Sequence, residues 1–95
     1  MESEFVFLPS QVLILRCHQH ADALTAASAV KQHKSVVVDT EQMDAAAAQR
    51  LLDFVAGAVD AIDGNAERLG ENSFLFTPHQ VQVSRMDSAV EVDRQ

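Results

Sequence analysis

DAAAAQRLLDFVAGAVDAIDG, residues 44–64, decides the fold, because at about 100° per residue it lays out three faces of one helix. Ala48, Leu51, Leu52, Val55, Ala58, Val59 and Ile62 form a broad apolar stripe suited to packing on a sheet. Gln49, Asp53, Ala56, Asp60 and Asp63 fall together as a face for water. Ala47, Arg50, Phe54, Gly57 and Ala61 make a third face, small residues around one aromatic, which another helix backbone can approach closely. A helix that meets only its own sheet has no use for that third face. Asp44 is placed to cap the first turn, and Gly64 is expected to stop the helix in a left-handed conformation. Gly57 costs roughly 1 kcal/mol relative to alanine inside a helix, and close packing by a second helix is the gain that offsets it.

The rest of the chain is sized to one small core. It has 95 residues, 47% of them apolar, with a formal charge of −7, which leaves no basic stripe for nucleic acid or anionic lipid and suits a basic peptide or protein better. The single cysteine, Cys17, permits no internal disulfide, and its apolar neighbourhood predicts a buried thiol in a reducing, cytoplasmic setting. No apolar run approaches a membrane span and no signal peptide opens the chain.

Before the long helix, residues 1–10 (MESEFVFLPS) form a leader or an extra edge segment. Gln11 to Cys17 carries four consecutive aliphatics and reads as a strand covered on both faces or in mid-sheet. Ala21 to Gln32 has Leu24, Ala27 and Val30 at helical spacing, and Ser35 to Thr40, with three valines, reads as a central strand. Strand, helix, strand implies a parallel crossover. After the long helix, Asn65 to Leu69 is short and polar, residues 70–72 have turn chemistry, and Ser73 to Thr77 suggests a hairpin. Pro78 interrupts it. Gln80 to Ser84 alternates as a half-exposed last strand with Val81 and Val83 inward, and residues 85–95 are expected to be a flexible tail. The expected class is α/β: a two-layer sandwich of two helices on a small mixed sheet, in the order β-α-β-α-β-β-β, with the domain spanning residues 11–84.

Catalytic and metal chemistry find little support. Cys17, His18 and His20 match no zinc-ligand spacing, and no second pair of ligands follows. A cysteine–histidine nucleophile lacks an oxyanion-hole sequence. Asp53, Asp60 and Asp63 read as a solvated face, and Gly57, Gly64 and Gly70 are too dispersed for a phosphate loop. No metal, cofactor or catalytic residue is expected.

VVVDTEQMD (36–44), AQRLLDFVAGAVDAIDG (48–64) and ERLGENSFLFTPHQVQVS (67–84), in this order and spacing, closely resemble the C-terminal domain of the SepF family of bacterial cell-division proteins. The resemblance spans residues 11–84. It implies a compact α/β sandwich that forms a homodimer, binds the C-terminal tail of FtsZ and bundles or tethers FtsZ filaments at the division septum. It also implies a tail-binding surface at Arg68 and Phe74, and subunit contacts at Gly57, to which the third face adds Phe54 and Ala61. Membrane attachment in the family is through an N-terminal amphipathic helix, which is absent from this chain. Asp60 departs from the family pattern, where an aromatic is common, and so does CHQHAD (17–22) at the start of the first helix. A rival reading is a phospho-switched regulatory domain of the anti-sigma antagonist type, which shares the VVVD-like strand but needs a serine where Asp44 and four alanines stand. A small enzyme built on Cys17 is a second rival.

Overall fold

The computed structural model describes residues 11–86. Its elements are β1 (Val12–Arg16), α1 (Asp22–Lys31), β2 (Ser35–Asp39), α2 (Ala45–Ala61), β3 (Asn65–Arg68) and β4 (Ser73–Thr77). The sheet runs in the order β1-β2-β4-β3. β1 and β2 are parallel, joined through α1, while β4 is antiparallel to both β2 and β3. This is the expected mixed sheet under two helices, with β2 central and a β3–β4 hairpin closing one side.

Register shows which side chains share a face. Leu13 pairs with Val36 and Leu15 with Val38; Val36 pairs with Phe76 and Val38 with Phe74. These six face the helices, because side chains alternate across a strand and cross-strand partners point the same way. Against them α1 sets Ala23, Ala26, Ala29 and Val30, and α2 sets Leu51, Val55 and Val59. Alanines on α1 let it lie close to the sheet, and the larger residues of α2 fill the remaining volume. Asp44 caps α2 as expected, its carboxylate accepting from the Ala47 amide at 2.8 Å.

Three local expectations need correction. Among the described residues β1 is an edge strand, covered on one face only: Leu13 and Leu15 are half-buried, whereas Val12 and Ile14 stand 61% and 79% exposed. Its continuous aliphatic run therefore does not mark a strand enclosed on both sides. Second, Gly64 is not the left-handed residue. Asp63 takes that conformation, with φ 59°, and the Gly64 amide returns to the Val59 carbonyl at 2.8 Å. Gly64 is needed for space: an added Cβ collides with the Thr77 carbonyl oxygen and with Val59 Cγ1.

Third, Gln80–Ser84 forms no strand. Pro78, itself buried, has no amide hydrogen to give a ladder, and the chain turns there, Val81 N–H donating to the Pro78 carbonyl at 3.1 Å. Beyond the turn, side chains rather than a ladder hold the backbone against β3. Asn65 Nδ2 donates to the Val81 carbonyl at 3.1 Å, and Arg85 Nη2 donates to Glu67 Oε1 and to the Arg68 carbonyl, each at 2.6 Å. Arg85, the first residue of the expected flexible tail, is thus tied to β3. Residues 1–10 and 87–95, the leader and the rest of that tail, lie outside the described residues.

Candidate functional site

The hairpin brings two of the expected site residues together. Arg68 is the cross-strand partner of Phe74, and its guanidinium carbon lies 5.4 Å from the centre of the Phe74 ring, within cation–π range. Two of its donors are engaged locally. Nε donates to the Gly70 carbonyl at 2.8 Å and Nη2 to the Glu71 carbonyl at 3.0 Å. Arg68 therefore closes the hairpin turn and steadies the Phe74 ring, which is half-buried rather than sealed in the core.

Between this hairpin and the N-terminal half of α2 runs an open groove of about 480 Å³. Phe74 and Phe76 form its floor on the sheet side, while Ala45, Ala48, Leu52 and Ala56 form the helix wall. The run of alanines leaves the volume empty: methyl groups stand where longer side chains would fill the space above two phenylalanines. Among the lining residues the Thr40 amide donates to the Asn72 carbonyl at 2.9 Å and so ties the hairpin loop to the turn before α2. Gln49, Asp53 and Glu71 stand at the rim, with Asp53 Oδ1 accepting from Gln49 Nε2 at 2.8 Å. The face expected to serve only water thus supplies part of a groove wall. Sequence periodicity missed it because a helical wheel records which residues share a face, not what stands opposite.

Phe54, Gly57 and Ala61 occupy a different side of α2. Phe54 is 41% exposed, Gly57 and Ala61 are exposed, and a Cβ on Gly57 meets nothing within 4 Å. The only aromatic neighbour of Phe54 among the described residues is His20, ring centres 6.1 Å apart and tilted 55°. Nothing among the described residues requires a glycine at 57.

Cys17 lies fully buried in the core. Burial first, and then the carboxylates of Asp22 and Asp39, push its thiol up from 9.0 to about 11. At neutral pH it is a protonated thiol, the reverse of what a nucleophile needs. Asp22 is occupied with the backbone, Oδ2 accepting from the His18 and Gln19 amides at 2.8 and 3.1 Å. Among the described residues no three His, Cys, Asp or Glu gather as metal ligands, and no helix is long and apolar enough to cross a membrane.

Comparison with known proteins agrees with the motifs. The family described as "Cell division protein SepF" matches residues 12–83. Proteins of that name from Trichormus variabilis and Nostoc punctiforme are 44% identical over 81 residues and 48% identical over 75 residues. The alignments take in 85% and 79% of this chain but only 41% and 38% of those proteins, so the chain spans about two fifths of the length of the curated relatives it matches. Among solved structures, a SepF-like protein from Archaeoglobus fulgidus superposes with a TM-score of 0.74 at 18% identity, covering 81% of this chain and 95% of that one. A SepF-like protein from Pyrococcus furiosus gives 0.71 at 12% identity, covering 88% and 100%. At such identities the two structures speak for the fold alone, whereas the family match and the closer relatives establish descent: the chain belongs to the SepF family.

Proposed function

We propose that this domain is a non-enzymatic cell-division adaptor that seats the C-terminal tail of FtsZ in the groove between α2 and the β3–β4 hairpin. The observation that carries this reading is the groove itself, floored by Phe74 and Phe76 and braced by Arg68. A short tail that orders on binding loses roughly 2–5 kcal/mol of gross interaction energy. An apolar floor that already exists, with its aromatic ring held in place, offsets that cost without further ordering of the receptor. Arg68 acts on the tail by orienting Phe74.

The adaptor works as a homodimer, for which Phe54, Gly57 and Ala61 provide the contact face on α2. Two grooves per dimer engage neighbouring subunits of one filament or join two filaments at the cytoplasmic side of the septum. Weak single sites then gain apparent affinity through effective concentration, with no covalent step.

Titration of a labelled FtsZ tail peptide against the 95-residue chain tests the reading. Saturable binding in the micromolar range is expected, weakened about tenfold or more by Phe74→Ala, as befits a buried aromatic anchor. Arg68→Glu should weaken binding too, in a peptide titration run well below its unfolding midpoint, which the loss of the two turn hydrogen bonds should lower. Absence of saturable binding at tens of micromolar protein removes the proposal.

A further inference from the structure

The charges around the groove are unevenly satisfied. Four ionic side chains belong to its lining: Asp53, Glu67, Arg68 and Glu71. Arg68 directs Nε and Nη2 at the carbonyls of Gly70 and Glu71 and lays its face on Phe74. Glu67 is paired with Arg85 at 2.6 Å. Two exposed carboxylates remain. Asp53 uses Oδ1 to accept from Gln49, and its other oxygen has no protein partner among the described residues; nor does the Glu71 side chain. One carboxylate stands on the helix wall and the other on the hairpin-loop wall; bonds to neutral carbonyls leave the Arg68 charge in place, but three carboxylates against one guanidinium keep the lining net negative, in a chain whose formal charge is already −7.

Such a lining repels an acidic segment and attracts a basic one, and charges at a rim act chiefly on choice of partner and on association rate. We infer that Asp53 and Glu71 are specificity-determining residues of the groove, selecting an extended peptide in which lysine or arginine flanks the apolar side chain that sits over Phe74 and Phe76. This rests on the groove being the tail-binding site proposed above, and adds which chemistry the bound segment carries beside its apolar anchor. The apolar floor supplies most of the affinity. The carboxylates discriminate between segments that share that anchor.

The test uses the 95-residue chain and two labelled peptides built on the FtsZ tail, identical in their apolar residues but carrying lysines in one and glutamates in the other at the flanking positions. By anisotropy in about 50 mM salt the lysine peptide should bind roughly fivefold to tenfold tighter, with the gap narrowing in about 0.5 M salt as screening sets in. In the double variant Asp53→Lys, Glu71→Lys, both sites being exposed, the preference should reverse while the circular dichroism spectrum stays unchanged. Equal binding of the two peptides, or a preference for the glutamate peptide by the wild-type chain, overturns the assignment of Asp53 and Glu71 and leaves the groove as the tail site. Failure of both peptides to bind overturns the tail site and this inference together.

Discussion

The two sides of α2 are built from similar residues and face opposite demands. On the inner side Leu51, Val55 and Val59 are at most 2% exposed, and Gly64, just past the helix end, is pressed between Val59 and the Thr77 carbonyl. On the outer side Phe54 lies 41% exposed and Gly57 has open space around it. A glycine in each place thus means different things. At 64 the fold explains it completely, through the close approach of α2 to β4. At 57 the fold gives no reason, and about 1 kcal/mol of helix propensity is forgone. The difference separates a glycine that the fold explains from one that it does not.

The sharpest way to break this comparison is at Gly64. A valine there places its Cβ on the Thr77 carbonyl oxygen and on Val59 Cγ1, and backbone on one side leaves no flexible atom to yield. Gly64→Val should therefore cost about 3 kcal/mol or more and broaden or abolish the cooperative transition in urea. A variant as stable as wild type would mean that α2 and β4 separate freely, and the contrast between the two glycines would lose its basis.

Much of the inner side could be read from the sequence alone. The stripe through Leu51, Val55 and Val59, the Asp44 cap, the central VVVD strand and the hairpin all follow from periodicity and turn chemistry. What failed is equally instructive. β1 looked enclosed because four aliphatics in a row carry no alternation, yet its edge position was decided by the β3–β4 hairpin docking on the far side of β2. QVQVS alternated like a strand, but Pro78 and the Asn65 and Arg85 side chains led the chain past β3 without a ladder. The Arg68–Phe74 pair was legible as separate residues, while the groove they border was not. Its helix wall comes from Ala45, Ala48, Leu52 and Ala56, of which the helical wheel puts Ala48 and Leu52 on a core face, Ala56 on a water face and Ala45 on neither. A cavity belongs to two elements at once, and one-dimensional patterns describe them one at a time.

A smaller effect tests the inner side through pH. Cys17 in the fold keeps its proton up to about 11, against 9.0 for an unperturbed thiol. Between those values the unfolded chain has released a proton that the folded chain still holds, so the unfolded state binds fewer protons and stability falls as pH rises. The contribution is complete below pH 9 and lost progressively toward pH 11, about 3 kcal/mol at the far end. Cys17→Ala, at a fully buried position, should remove this alkaline slope. Parallel pH profiles for the two proteins between 9 and 11 would show that the thiol is reached by water and that the core beneath the helices is looser than its burial implies.

The smallest expected change is the most discriminating, because it asks the outer side for opposite responses in two measurements. Gly57→Ala adds one methyl where the monomer has room for it and improves helix propensity, so at low protein concentration the chain should unfold at higher urea, by up to about 1 kcal/mol. If the outer face of α2 meets a second copy closely, the same methyl enters the space the partner backbone occupies, and sedimentation at high concentration should show weaker self-association. Phe54→Ala separates packing from propensity: it leaves the added methyl out, removes a ring that is 41% exposed, and should weaken association with a smaller loss of monomer stability than truncating a fully buried side chain. Stabilisation of the monomer together with unchanged association in both variants would place the subunit contact elsewhere. The exposed Val12 and Ile14 on the open side of β1 would then be the next surface to substitute, since among the described residues they form an uncovered apolar pair on one strand.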